Sequence, residues 1–273
     1  MKKTLIIGLA GMMLSVGLIG NAGAKNIEPR QLASNNAQAE EVALPENAKM
    51  IAPGVFYIGE EKDEKGNTVK GYTFVHYAEG FEPEVSDVDV TPGDASGCYN
   101  FVFGNPISWA TTEPYLIRAP KDFGTPEEIK GIFENSVSTW EGAAEVQIIG
   151  EGSEDVNAVN KRKVDGLNTV RFGSLSTGII ALNTIWTDGS SLIEWDQIFS
   201  TKFDWSLDCT ADDCSAKMDF QNIATHELGH AIGLGDLYTS ECSEQTMYGY
   251  SGYADTSKRD LELGDIAGIN YLY

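Results

Sequence analysis

The chain has 273 residues, 42 % of them hydrophobic, and a formal net charge of −22. That apolar content supports a sizeable core and excludes wholesale disorder. The charge has the wrong sign to neutralise phosphates, which excludes nucleic-acid binding as the main task, and suits a well-solvated protein.

Taken in chain order, residues 1–24 combine Lys2 and Lys3, an apolar run over 5–19 and the small-residue exit Ala22-Gly23-Ala24. These are the three parts of a secretory signal peptide, so export without a stable membrane anchor is expected. Cleavage there would leave about 249 residues, enough for one large domain and a smaller preceding segment. Residues 25–97 read as that N-terminal segment or propeptide. It begins as a polar linker to about residue 48. A β-hairpin follows, with strands over 55–59 and 70–78 and turn chemistry in Asp63-Glu64-Lys65-Gly66-Asn67. An acidic, proline-containing loop over 79–97 marks the boundary.

Residues 98–273 read as one α+β domain. A strand is expected at 115–117. Thr125-Pro126-Glu127-Glu128 starts a helix, with a capping threonine, proline at its first position and acids in its first turn. Ile129, Ile132, Phe133, Val137 and Trp140 follow at helical spacing and should bury one face. Strands are expected at 169–172 and 178–186, and helices at 218–234 and 265–273. Cys98, Cys209, Cys214 and Cys242 are an even set in an exported chain, so disulfides are expected. Cys209 and Cys214 flank a short acidic turn and are paired locally, leaving Cys98 with Cys242; sequence alone leaves the other two connectivities open.

The chemistry concentrates in His226-Glu227-Leu228-Gly229-His230-Ala231-Ile232-Gly233-Leu234-Gly235-Asp236, which uses two of only three histidines. Histidines four apart on a helix lie one turn above each other on one face, so both imidazoles can reach one Zn²⁺. Glu227 projects from the same side, placed to act on a water as general base. Gly233 and Gly235 let the chain reverse and return Asp236 as a third ligand, leaving the fourth position open as in catalytic zinc sites. The bland alternative, two surface histidines on an ordinary helix, leaves the glycines and the acid at this spacing unexplained. Asp208, Asp212 and Asp213 offer oxygen ligands of the kind Ca²⁺ takes, beside the plainer reading of a solvated acidic turn.

This segment resembles the extended zinc motif of metzincins, and the C-terminal third resembles their matrixin branch. Glu244-Gln245-Thr246-Met247-Tyr248-Gly249 is similar to the Met-turn, whose methionine lies beneath the zinc; glycine stands where matrixins often have proline. Residues 261–273 resemble the closing matrixin helix. The resemblance implies a mixed, twisted β-sheet, a long central zinc-binding helix and a C-terminal helix. It also implies a monomeric secreted endopeptidase acting on peptide or protein substrates. It assigns His226, His230 and Asp236 to zinc, with aspartate where most matrixins have histidine, and Glu227 to catalysis. Tyr248 and Tyr250 are candidates for the pocket after the scissile bond, with plain packing as the alternative. Residues 178–186 resemble the strand whose exposed edge pairs with extended substrate. The family's second, structural zinc would need more histidines than the remaining His76, which reads as an ordinary strand residue. Cys98 lacks the surroundings of the inhibitory propeptide cysteine. Two rival functions stand beside proteolysis: a non-catalytic zinc-binding adhesion or interaction module, and zinc-dependent hydrolysis of a non-peptide bond.

Overall fold

The computed structural model describes residues 42–81, 97–158 and 163–273. The signal-peptide reading and most of the polar linker lie outside them. Three N-terminal strands, β1 (Lys49–Ala52), β2 (Val55–Lys62) and β3 (Thr68–Ala78), precede β4 (Glu113–Arg118) and helix α1 (Pro126–Ala144). Then come β5 (Ile149–Glu154), β6 (Asn168–Gly173), β7 (Ile179–Thr187) and β8 (Leu192–Ser200). Short strands β9 (Trp205–Ser206) and β10 (Met218–Asp219) lead into helix α2 (Phe220–Ala231); β11 (Tyr250–Ser251) and helix α3 (Leu263–Leu272) follow.

One mixed sheet runs in the order β1-β2-β3-β7-β8-β6-β4-β5, with β11 added alongside β3. The β4, β5, β6 and β8 pairings are parallel, whereas β7 runs antiparallel to both β8 and β3. Alternation along each strand sorts the side chains. Phe74, Ala181, Ile185, Trp195 and Phe199 enter the large core shared with the helices, while Val75, Leu182 and Ile198 form a smaller cluster with Leu175.

Helix α1 starts where its capping chemistry dictates: the Glu128 N–H donates to Thr125 Oγ1 and the Thr125 N–H donates back to Glu128 Oε2. Its buried stripe of Ile129, Phe133, Val137 and Trp140 packs on α2, and the Trp140 indole N–H donates to the Thr225 carbonyl at 2.8 Å. Eleven of the twelve residues of α2 are buried, which makes it the central helix of the fold. It is shorter than the 218–234 expected. Met218 and Asp219 are spent on β10 and the N-cap, and Gly233 takes φ +111 to turn the chain away. Arg259 clamps the start of α2 by pairing with Asp219, whose carboxylate also accepts the Cys209 and Asn222 N–H groups.

The four cysteines pair as Cys98–Cys242 and Cys209–Cys214. Two features went beyond the sequence reading. The hairpin before residue 98 joins the same sheet as the later strands, and β5 and β8 were not anticipated. The glycines of β5 and the polar residues inside β8 interrupt the alternation that marks a strand.

Candidate metal centre and active site

The centre of α2 and the reversal after it bring three ligand atoms to one point. Asp236 Oδ1 lies 3.3 Å from His226 Nε2 and 3.4 Å from His230 Nε2, and all three side chains are almost wholly buried. Ligands about 2.0–2.1 Å from a tetrahedral zinc stand about 3.3–3.4 Å from one another, so the spacing fits that ion. The other nitrogen of each imidazole is committed: His226 Nδ1–H donates to the Thr246 carbonyl and His230 Nδ1–H to the Leu234 carbonyl, each at 2.8 Å. These bonds fix the tautomers that turn both Nε2 lone pairs toward Asp236. His226 Nε2 is buried with no hydrogen-bond partner of its own, an atom that a cation would satisfy. Asp236 Oδ2 lies 3.1 Å from the Tyr238 hydroxyl, which also reaches the Pro53 carbonyl.

The reversal requires glycine. A Cβ at Gly233 would collide with the Ile107 carbonyl oxygen, besides the strain of its positive φ. Beneath α2, Met247 is 2 % exposed, and a Cβ on Gly229 would run into its sulfur. The turn carrying Met247 is held by Asp265 at the start of α3. Its carboxylate accepts the N–H groups of Thr246 (2.8 Å), Met247 (3.2 Å) and Glu262 (3.0 Å). Tyr248 and Tyr250 follow that turn, with rings 5.7 Å apart and nearly perpendicular.

Glu227 lies beside the three ligand atoms, wholly buried, with Oε2 unpartnered. Burial pushes its carboxyl up to about 8. Burial also pushes His226 down to about 4, aided by the nearby Lys258 ammonium. Burial opposes ionisation of Asp236, yet His230 and His226 hold it well below the usual carboxylate range. His230 is displaced upward: Asp236 outweighs the cost of burying its charge. Asp236 is thus a firm anion, Glu227 a carboxyl that resists ionising and His226 a neutral imidazole, a set that a divalent cation would complete.

The matrixin family profile matches residues 122–273. The chain belongs to the matrixin family. As a matrixin it is an α+β metalloprotease of a zinc-dependent family that acts on protein substrates. No curated protein matches it in sequence. Among the described residues, no helix of this matrixin is long and apolar enough to cross a membrane.

Several residues fall elsewhere than the sequence reading put them. His76, read as ordinary, stands inside the site: its Nδ1 is 3.0 Å from Glu227 Oε1, its Nε2 3.1 Å from Ser251 Oγ, and its ring centroid 4.1 Å from that of His226. Strand alternation shows which face of β3 it occupies, but nothing in sequence shows that β3 pairs with β7. Lys258 was not anticipated either: it is buried, donates to the Tyr248 carbonyl and lies 3.5 Å from His226 Nδ1. The three aspartates weighed for calcium are not gathered around a common point. Asp208 pairs with Arg259, Asp212 accepts from Ser206, and Asp213 accepts the Ser215 N–H.

Proposed function

We propose that this matrixin is an exported zinc endopeptidase in which His226, His230 and Asp236 hold the metal and Glu227 is the general base. The convergence of two tautomer-fixed imidazoles and one carboxylate at 3.3 and 3.4 Å, beside an unpartnered Glu227 oxygen, carries this reading. Zinc bound there supplies Lewis acidity, polarising a peptide carbonyl and making water acidic enough to deprotonate near neutral pH. Glu227 Oε2 then accepts the proton of the attacking water and returns it to the leaving amine as the C–N bond breaks. Thr246 and Leu234 keep both ligand imidazoles oriented through their carbonyls, and Met247 supports the helix from below. Tyr248 and Tyr250 would wall the pocket for the residue that follows the scissile bond. Export rests on the sequence of residues 1–24, and the division into a segment 25–97 and a catalytic domain 98–273 belongs to the same proposal, as does a monomeric state.

The test is zinc content and labelled-peptide cleavage for the parent and Glu227→Ala, each intact and after limited proteolysis ahead of Cys98. We expect zinc in both, with cleavage by the variant lower by at least about 10²-fold, the usual contribution of a positioned base. Zinc in both and cleavage of no peptide library by any form would replace proteolysis with the zinc-binding-module reading.

A further inference from the structure

Lys258 is a buried cation that the reaction described above does not use. It is 2 % exposed and lies in the stretch between the Met247 turn and α3. Its backbone N–H donates to Asn222 Oδ1, one turn before His226 on α2, and its side chain runs from there toward the candidate metal ligands. Nζ ends 3.5 Å from His226 Nδ1, donates to the Tyr248 carbonyl and stands 6.0 Å from the centre of the Tyr248 ring.

An ammonium has three hydrogens to place. The Tyr248 carbonyl takes one. His226 Nδ1 takes none, because it gives its own hydrogen to the Thr246 carbonyl. Asp255 is the carboxylate that acts most strongly on Lys258, but from a distance; its Oδ1 accepts the Ser257 N–H and hydroxyl. Among the described residues no carboxylate forms an ion pair with Nζ. A buried ammonium without a paired anion is electrostatically incomplete, and a carboxylate is the group that would complete it.

Lys258 stands where a substrate can bring one. Only the His226 imidazole separates Nζ from the point at which the three candidate ligand atoms meet. Tyr248, whose carbonyl holds Nζ, belongs to the pocket proposed above for the residue that follows the scissile bond. Resting on the endopeptidase reading above, we infer that Lys258 is a specificity-determining residue in that pocket, and that the protein cuts on the N-terminal side of aspartate or glutamate. The acidic side chain accepts from Nζ and supplies the missing anion. Asparagine or glutamine in the same place leaves the buried charge unpaired, leucine also leaves its N–H groups without an acceptor, and lysine meets a like charge.

The test uses the zinc-loaded protein, intact and after limited proteolysis ahead of Cys98, beside Lys258→Met, which keeps the length of the side chain without its charge. Cleavage sites are mapped in a mixed peptide library. Then kcat/KM is compared for C-terminally amidated peptides that differ only in Asp, Asn or Leu after the cleaved bond. The parent should favour Asp over both by at least about tenfold, and Lys258→Met should lose that preference while zinc content and circular dichroism stay unchanged. The same order of preference in both proteins, or a parent that cuts before Asn or Leu as well as before Asp, overturns the inference and leaves the endopeptidase reading standing. Binding is read separately by calorimetry, with two hydroxamate peptides that differ only in a carboxymethyl or an isobutyl side chain next to the hydroxamate. If no form cleaves any peptide, the endopeptidase reading fails and this pair decides for Lys258. Tighter binding of the carboxymethyl probe by the parent, by at least about tenfold and lost in the variant, supports the inference; equal binding or none overturns it. Should Lys258→Met not fold, the parent's Asp-to-Asn ratio and its hydroxamate pair decide alone, and equality in either overturns the inference.

Discussion

At the scale of single residues, the site depends on groups that never face the metal. Asp265 shows this best. Its two carboxylate oxygens accept three backbone N–H groups, two of them from the turn that carries Met247. An Asp265→Asn substitution keeps the shape but replaces one acceptor oxygen with a donor facing backbone N–H groups. A buried donor left unpaired costs about 1–3 kcal/mol. We therefore expect the unfolding free energy from urea titration to fall by that amount and the Met247 turn to gain amide exchange. Unchanged stability would mean that packing of Met247 against α2, not Asp265, holds the turn. Asp265 is equally telling about sequence reading, since it belongs to a helix recognisable by resemblance while its task is performed on a different segment.

At the scale of elements, two glycines with the same local chemistry should respond oppositely to alanine. In a helix interior, Gly→Ala gains about 1 kcal/mol from propensity alone. At Gly131 of α1 nothing stands within 4 Å of the added methyl, so that gain should appear nearly whole. At Gly229 of α2 the methyl meets Met247 and Trp140, and overpacking of this kind costs about 1–3 kcal/mol. Thermal unfolding should therefore rise for Gly131→Ala and fall for Gly229→Ala; a rise for both would show that the Met247 turn yields freely. The helices and the proposed ligand set were legible because their signals are local: a capping box at Thr125, a period of 3.6 behind it, two histidines one turn apart, and glycines before Asp236. The hairpin strands were legible for the same reason. What escaped was the partner each element chose. Whether β3 lies free or on the edge of β7 depends on the far side of the molecule, and with it the placement of His76 beside Glu227. Lys258 escaped because a buried lysine has no sequence signature.

At the scale of the whole molecule, the acidity visible in composition is not all on the surface. Glu194 and Asp196 of β8 are buried, and Glu194 Oε2 accepts the N–H groups of Asp165 and Gly166 while Oε1 has no partner. Burial pushes Glu194 up to about 8 and, with the neighbouring Glu194 charge, carries Asp196 well above its usual range. The folded state therefore holds a proton on Glu194 that the unfolded chain, with an ordinary glutamate near 4.5, has already lost. Between those two values the native state binds more protons, so stability is fully present below about pH 4.5 and declines as pH rises toward about 8. Each such proton contributes a slope of up to about 1.4 kcal/mol per pH unit. A Glu194→Gln variant keeps a carbonyl to accept both N–H groups and removes the titration. Urea midpoints measured at intervals from pH 5 to 8, at fixed zinc, should therefore fall less steeply for the variant than for the parent. Zinc binding and the mutual repulsion of the surface carboxylates also change over this range, but they are shared by both proteins and cancel in the difference. Parallel curves would mean that Glu194 is ionised in the fold, with water or a cation supplying the partner its Oε1 lacks.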